Sequence, residues 1–447
     1  MKERKTVSVV GLGKLGMPIV ACIAERGYRV LGVDREPTIV DAVNQGKAPF
    51  YEPRLDELLR SNQDRLTASA DFESSVRNSD ITFVVVSTPS AVSGEFSVEY
   101  VLQAIGQVGA ALRDKEGYHL VVLTSTVMPG DTRGKVQPVL EKESGKRCGK
   151  ELGLCYSPEF FALGRVVTEF LNPEFVLIGE SDPVAGKALE DFFQDLCENE
   201  PVISRMSFVN AELTKLAVNT YITTKITFAN TLARVCEHLP GADVDTVTTA
   251  LGLDGRIGGK YLKGAIGYGG PCFPRDDLAF CRLADRLGVP ARVAKAVSET
   301  NREQASSLAS LVVSLLPKNG VVGVLGLAFK PDTAVVEESQ GIELAKRLTA
   351  VTRVVVYDPA AMDNARRVLG DSVAYANSLA DCVARSDVLV LVTPWKEFRK
   401  ISPESLRRDG ERRVLVDCWR MLDRAVYDKV CDYCALGTNR VGGDEVT

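Results

Sequence analysis

Histidine is nearly absent from this chain. There are two in 447 residues, His119 and His238, and neither stands in a glycine-rich or acidic cluster. That argues against a histidine-ligated metal, and no metal site is expected; Lys, Asp, Glu and Cys are left to carry protons. Long apolar runs are missing too: no stretch approaches the ~18 uninterrupted apolar residues of a membrane span. The opening MKERKTVSVVGLG runs directly into a strand, with no apolar signal region before it. A strong charge of either sign is also lacking. The net charge of -5 gives no general pull toward nucleic acid or an anionic membrane, and neither is expected as a partner. The eleven cysteines form no framework, which suits a reducing cytoplasm. Their one CxxC, Cys431 and Cys434, stands alone near the C-terminus and reads as incidental.

What is present is an ordinary globular composition, 45% hydrophobic and 25% charged, in a chain long enough for two or three domains. The β-branched run Thr6 to Val10 enters Gly11-Leu12-Gly13-Lys-Leu-Gly16, and a helical stretch follows to about Arg26. A second strand, Val30 to Val33, ends at Asp34, 18 positions after Gly16. Strand, GxGxxG, helix, strand and acidic residue in that order form a dinucleotide fingerprint. Gly11 makes the turn, Gly13 admits the diphosphate to the helix N-terminus, and Gly16 allows close packing. Asp34 would hold the adenosine ribose and repel a 2′-phosphate, so the expected cofactor is NAD.

Two further strands, Asp80 to Val86 and Leu120 to Leu123, run into Ser87-Thr88-Pro89 and Thr124-Ser125-Thr126. Ligands sit at the carboxyl ends of strands in an open parallel sheet, so these hydroxyls are either ligand contacts or turn chemistry. Ser157-Pro158-Glu159-Phe160-Phe161-Ala162-Leu163-Gly164 follows another strand end, and Glu159 there is a candidate general base or a helix cap. From about Met206 to Leu239 one long helix is expected, stopped by Pro240-Gly241 and joining the two halves of the molecule. Lys215 and Asn219 share one of its faces. Lys215 reads either as a proton carrier in apolar surroundings or as a snorkelling surface lysine.

The stretch GAIGYGGPCFPRDD, Gly264 to Asp277, places Cys272 between four glycines and a Pro-Arg-Asp turn. Gly264, Gly267, Gly269 and Gly270 permit close backbone approach, and Pro271 and Pro274 stiffen the frame. A thiol beside Arg275, at the foot of a helix expected to start near Asp276, is placed to ionise and to act as a nucleophile. The second half then repeats the first. Val321 to Leu325 enters Gly326, Val354 to Tyr357 ends in Asp358-Pro359, and Ser386 to Pro394 echoes Ser79 to Pro89. No full GxGxxG is present there, so a different nucleotide is expected, with Phe329 and Lys330 at the first strand end.

Together these features resemble the nucleotide-sugar 6-dehydrogenases, the UDP-glucose/GDP-mannose dehydrogenase family. The motifs that carry the resemblance are GLGKLG (11–16), STP (87–89), STV (125–127), SPEF (157–160), NAELTKLAVN (210–219), DGRIG (254–258), GYGGPCFPRD (267–276), GLAFKPDT (326–333) and YDP (357–359). The resemblance implies an α/β fold of two Rossmann-like doubly wound domains joined by a long central helix and a helical middle domain. The expected divisions are an NAD-binding domain 1–205, a central dimerisation and catalytic domain 206–310, a UDP-sugar domain 318–436 and a loose tail 437–447. It implies oxidation of a sugar C6 alcohol to a carboxylate with two NAD+, the substrate being UDP-glucose ahead of a UDP-N-acetylhexosamine or GDP-mannose.

By the same resemblance, Cys272 is the nucleophile, Lys215 stabilises oxyanion charge with Asn219 as its partner, and Asp276 helps activate water. Glu159 and Thr126 lie at the hydrolytic water and the cofactor. Leu12, Thr88 and Arg275 join the glycines and Asp34 at the cofactor. Phe160, Phe161, Leu163, Tyr261, Gly269, Phe329 and Lys330 are candidate substrate contacts, and Arg256 reaches the substrate of a neighbouring subunit, implying a homodimer. Four positions depart from the family pattern: Leu163 replaces a glutamate, Pro271 a serine, and Val335 and Glu337 an aspartate and an arginine. A single-step β-hydroxyacid-type dehydrogenase and a non-enzymatic NAD sensor are the competing readings.

Overall fold

The computed structural model describes residues 4–408, 410 and 412–439. The chain folds as two compact units, residues up to Ala217 and residues from Val218. In the first unit eight strands form one sheet: β1 (Thr6–Val10), β2 (Arg29–Val33), β3 (Leu66–Ser69), β4 (Ile81–Val84), β5 (His119–Leu123), β6 (Leu152–Tyr156), β7 (Phe175–Glu180) and β8 (Val202–Ser207). Their order is β3-β2-β1-β4-β5-β6-β7-β8, parallel throughout except between β6 and β7. β1 pairs with both β2 and β4, setting Val10 opposite Val33 and Val84. Strand order reverses there, and a doubly wound sheet opens its ligand crevice at such a point.

Both faces of this sheet are covered, so its strands are apolar on both sides. Leu120 and Val122 of β5 pack into the core beneath the helices Gly16–Glu25 and Pro183–Leu196. Val121 and Leu123, pointing the other way, pack beneath the helix Glu99–Leu112. His119 opens β5 and is fully buried, bonded through Nε2 to Thr82 Oγ1 (2.8 Å) and through Nδ1 to Lys115 Nζ (3.0 Å). Burial pushes its pKa down to about 3, so it ties β5 to β4 and to the loop that enters β5, and takes no part in proton transfer near neutrality.

The second unit carries a six-stranded parallel sheet: β9 (Val321–Leu325), β10 (Arg353–Tyr357), β11 (Ala374–Tyr375), β12 (Val388–Leu391), β13 (Val414–Asp417) and β14 (Asp432–Ala435). Its order, β11-β10-β9-β12-β13-β14, is the doubly wound arrangement again, with Leu325 opposite Tyr357 and Leu391. Helices Phe273–Arg286 and Arg292–Ser314 precede it.

The long helix runs Phe208–His238 through the boundary between the units. It starts later than the sequence suggests because Met206 and Ser207 belong to β8. The helix that follows Cys272 begins at Phe273, not near Asp276: Pro274 falls in its first turn, where a missing N–H costs nothing. Residues 437–439, the start of the expected tail, are tied to the 242–244 turn through Val244 N to Gly437 O (2.9 Å) and Asn439 N to Ala242 O (3.2 Å). Residues 440–447 lie outside the described residues.

Candidate active site

In the first unit the site is built on the carboxyl ends of neighbouring strands β1, β4, β5 and β6. After β1, Gly11 takes φ +92 and donates its N–H to Val33 O (2.8 Å). A Cβ at Gly16 would lie 1.8 Å from Gly11 O, so the helix starts hard against the turn. A Cβ at Gly13 would meet nothing within 4 Å, which leaves an open face for a diphosphate. The helix Gly16–Glu25 has no acidic residue in its first turn and no side-chain cap, so its N–H groups face an anion unopposed. Asp34 is held by Leu12 N (2.8 Å) and Glu36 N (3.0 Å), one to each oxygen. Leu12 therefore serves by anchoring Asp34, since its amide is already given away. Arg35 turns from the cradle toward Glu36 (3.7 Å) and the Tyr100 ring (5.8 Å). The residues present fit NAD.

Thr88 is buried beyond β4, and Thr126 is half-buried beyond β5. Ser125 between them is spent on the backbone of Val86, accepting from its N–H (3.0 Å) and donating to its carbonyl (2.6 Å). After β6 the loop 157–164 lays Phe160 against Phe175 (4.8 Å) and Phe161 against Phe170 (5.6 Å). Lys215 is buried, donates to the Glu159 carbonyl and stands over the Phe160 ring at 4.6 Å. It is neither solvated nor snorkelling. Burial, opposed by Lys215, pushes Glu159 up to about 8, and its Oε1 has no hydrogen-bond partner among the described residues.

Two carboxylates escaped the sequence reading. Glu52 accepts from Gly164 N (2.7 Å) and Val166 N (2.8 Å), fixing the loop that carries Leu163. Glu212, fully buried, accepts from Gly130 N (2.6 Å) and Thr132 N (2.8 Å), pinning the segment beyond Thr126. A glutamate three residues before Lys215 in an apolar stretch was the available signal for the second.

In the second unit Cys272 occupies the N-cap position of the helix Phe273–Arg286 and is exposed. The other ten cysteines are buried or partly buried, and none of the eleven is in a disulfide. Burial pushes several of those thiols up, Cys197, Cys382 and Cys431 to about 12. Among the described residues Cys272 is thus the thiol placed to meet a substrate. Asp276, in the first helical turn and 1% exposed, accepts from Asn219 Nδ2 (2.6 Å) and Arg275 Nε (3.4 Å). Arg275 is thereby half of an ion pair. The structure brings Asn219, Arg275 and Asp276 together at the helix that Cys272 caps.

Gly270 (φ +86) receives the Phe329 ring, which would lie 2.6 Å from a Cβ, and Gly269 backs onto Glu338 O at 2.1 Å from its own notional Cβ. Lys330 Nζ stands 5.8 Å from the Phe329 ring. Tyr261 packs edge-on to Phe273 (6.5 Å). Arg256 is 88% exposed and bridges to Asp254 (2.6 Å). Of the departing positions, Val335 is buried and its carbonyl accepts from Phe329 N (3.0 Å), and the Glu337 carbonyl accepts from Gly270 N (3.0 Å).

The turn after β9 repeats that after β1. Gly326 N donates to Tyr357 O (2.9 Å), and a Cβ at Gly341 would lie 2.0 Å from Gly326 O. Here Asp358 accepts five bonds, from Leu327 N (2.7 Å), Ala328 N (2.9 Å), Ala360 N (2.8 Å), Ala361 N (2.8 Å) and Trp395 Nε1 (3.0 Å). Its capacity is used inward, unlike that of Asp34.

The NAD binding domain of the UDP-glucose/GDP-mannose dehydrogenase family matches residues 5–197, its central domain residues 209–303, and its UDP binding domain residues 323–424. The chain is 36% identical over 425 residues to the UDP-glucose 6-dehydrogenase AglM of Haloferax volcanii, covering 94% of this chain and 97% of that one. It is 33% identical over 418 residues to the UDP-glucose 6-dehydrogenase TuaD of Bacillus subtilis, covering 92% and 88%. Among solved structures it matches a UDP-glucose dehydrogenase from the hyperthermophilic archaeon Pyrobaculum islandicum with a TM-score of 0.88 and 34% identity over 98% of both chains.

Proposed function

This chain belongs to the UDP-glucose/GDP-mannose dehydrogenase family, and on that premise we propose that it oxidises the C6 alcohol of UDP-glucose to the carboxylate through a covalent intermediate on Cys272. NAD+, when bound, supplies the hydride acceptor for both oxidations. The Gly11–Gly16 turn would hold its diphosphate and Asp34 its adenosine ribose, with Thr88 and Thr126 beside it.

Lys215, a buried cation, stabilises negative charge developing on the sugar oxygen. Asn219, one turn further along the same helix, orients Asp276. The Cys272 thiolate adds to the C6 aldehyde: a sulfur–carbon bond forms, and the carbonyl oxygen takes up a proton. Oxidation of that thiohemiacetal leaves a thioester. Glu159 and Asp276 then activate a water whose attack breaks the sulfur–carbon bond, releasing the carboxylate and restoring the thiol. Phe329 and Lys330 serve the substrate nucleotide, and the loop bearing Phe160, Phe161 and Leu163 serves the hexose. Arg256, exposed and paired with Asp254, suits reaching a second copy of the chain. Eleven thiols without a disulfide suit a reducing compartment, and we place the enzyme in the cytoplasm.

The observation that carries this reading is the exposed thiol of Cys272 at a helix N-terminus whose first turn holds a bonded aspartate. Cys272→Ala is expected to lower NADH production from UDP-glucose by about a thousandfold or more while NAD+ still binds. Turnover at the wild-type rate would instead make the chain a single-step dehydrogenase.

A further inference from the structure

The segment leading into Cys272 lies in no strand or helix, yet side chains from three other elements hold its backbone. Asn230, on the long helix, accepts from Ala265 N (2.8 Å) and donates to Ile266 O (2.8 Å). Asn301, on the helix Arg292–Ser314, accepts from Tyr268 N (2.8 Å) and donates to Tyr268 O (3.0 Å). Gln340 Nε2 donates to the same carbonyl (3.2 Å). Each asparagine amide satisfies one donor and one acceptor of the loop, as a neighbouring strand would.

The ring of Tyr268 packs edge-on to Phe273, the residue after Cys272 (6.2 Å). Its hydroxyl donates to Asp277 Oδ2 (2.7 Å), while Thr223 Oγ1 donates to Asp277 Oδ1 (3.0 Å). Tyr268 stands four residues before Cys272 and Asp277 five after it. This one hydrogen bond therefore closes the arm entering the thiol onto the helix leaving it. The parts are dry: Tyr268 is 7% exposed, Asp277 0% and Asn301 8%. A buried carboxylate with hydroxyl partners stabilises a fold no better than well-packed apolar residues would, and its best-attested use is to fix one arrangement.

We propose that Tyr268, Asp277 and Asn301 form a clasp around Cys272, positioning residues that hold its sulfur where the aldehyde carbon must arrive. They touch neither substrate nor cofactor and act through the loop. The proposal rests on Cys272 being the nucleophile, and its test separates the two ideas.

The experiment compares Tyr268→Phe, Asp277→Ala, their double variant and Asp277→Asn with the full-length enzyme, using Cys272→Ala as reference. Tyr268→Phe removes one oxygen from a ring that still packs, so it tests the clasp without emptying the core. Each single variant is expected to lose kcat by about 10- to 100-fold, the cost of a nucleophile displaced by about 1 Å. KM for NAD+ should stay at the wild-type value. The double variant should lose no more than the worse single, because both break the same bond. Asp277→Asn, whose amide oxygen still accepts from the tyrosine, should recover most of the rate. Wild-type kcat in Tyr268→Phe beside an inactive Cys272→Ala would overturn the clasp and leave the nucleophile standing. Losses that multiply in the double variant, or an Asp277→Asn as slow as Asp277→Ala, would overturn it equally. Full turnover by Cys272→Ala would remove the premise instead.

Discussion

At the scale of the residue, the chemistry turns on side chains whose surroundings set their state. Glu159 is the clearest. Burial raises its pKa to about 8 from an ordinary 4.5, against the pull of Lys215. In its proposed role as general base Glu159 works only when ionised, so turnover should rise about tenfold per pH unit below that value and level off above it. Glu159→Gln should abolish this limb and lower kcat by about 10²- to 10⁴-fold, read from kcat against pH. Stability carries the opposite sign. The folded value lies above the unfolded one, so ionising Glu159 weakens the fold. Thermal stability should fall as pH rises from about 4.5 toward 8, and Glu159→Gln should flatten that fall. A melting curve rising over the same window would contradict the assignment. The placement of Cys272 at a helix start and of Glu159 beyond a strand end was legible in the sequence because glycines, prolines and strand ends mark them locally. Glu52 and Asn301 were not: they act on backbone 112 and 33 residues away. No local pattern announces such a partner.

At the scale of the element, the long helix Phe208–His238 does more than connect. Tyr221, Phe228 and Val235 recur every seven residues and are 64%, 53% and 53% exposed, an apolar stripe along one face. A second copy of this chain is the occupant the expected homodimer requires. Phe228→Asp should shift the assembly from dimer to monomer by light scattering while the helix content holds. A dimer unaffected by that charge would move the interface elsewhere. The helix itself was readable from the absence of Pro and Gly until Pro240-Gly241, but its first residue was not, because β8 runs directly into it. The helix after Cys272 was misjudged by three residues for a related reason: Pro274 reads as loop, yet a first helical turn accepts it.

At the scale of the whole molecule, each unit builds its sheet with the same devices. Thr6 N and Val321 N each meet the aspartate just before the next strand over, Asp80 (2.8 Å) and Asp387 (2.7 Å), and Gly11 and Gly326 each open the first turn. The sequence showed this repeat through its strand ends. It hid Gly341, the counterpart of Gly16, because the segment from Leu327 to Gln340 breaks the GxGxxG spacing. The two aspartates at the second strands have diverged in use, and one substitution should separate them. Asp34→Asn should raise KM for NAD+ with little change in melting temperature. Asp358→Asn should cost about 1–3 kcal/mol of stability, since an amide offers its buried donors one acceptor fewer. Equal effects on stability would deny the difference in role. The central claim concerns the reaction as a whole: one thiol holds the aldehyde between two oxidations. The most direct test counts NADH formed per UDP-glucose consumed to completion. Two NADH per sugar is the result expected from a Cys272-bound intermediate, and one per sugar, with free aldehyde released, would contradict it.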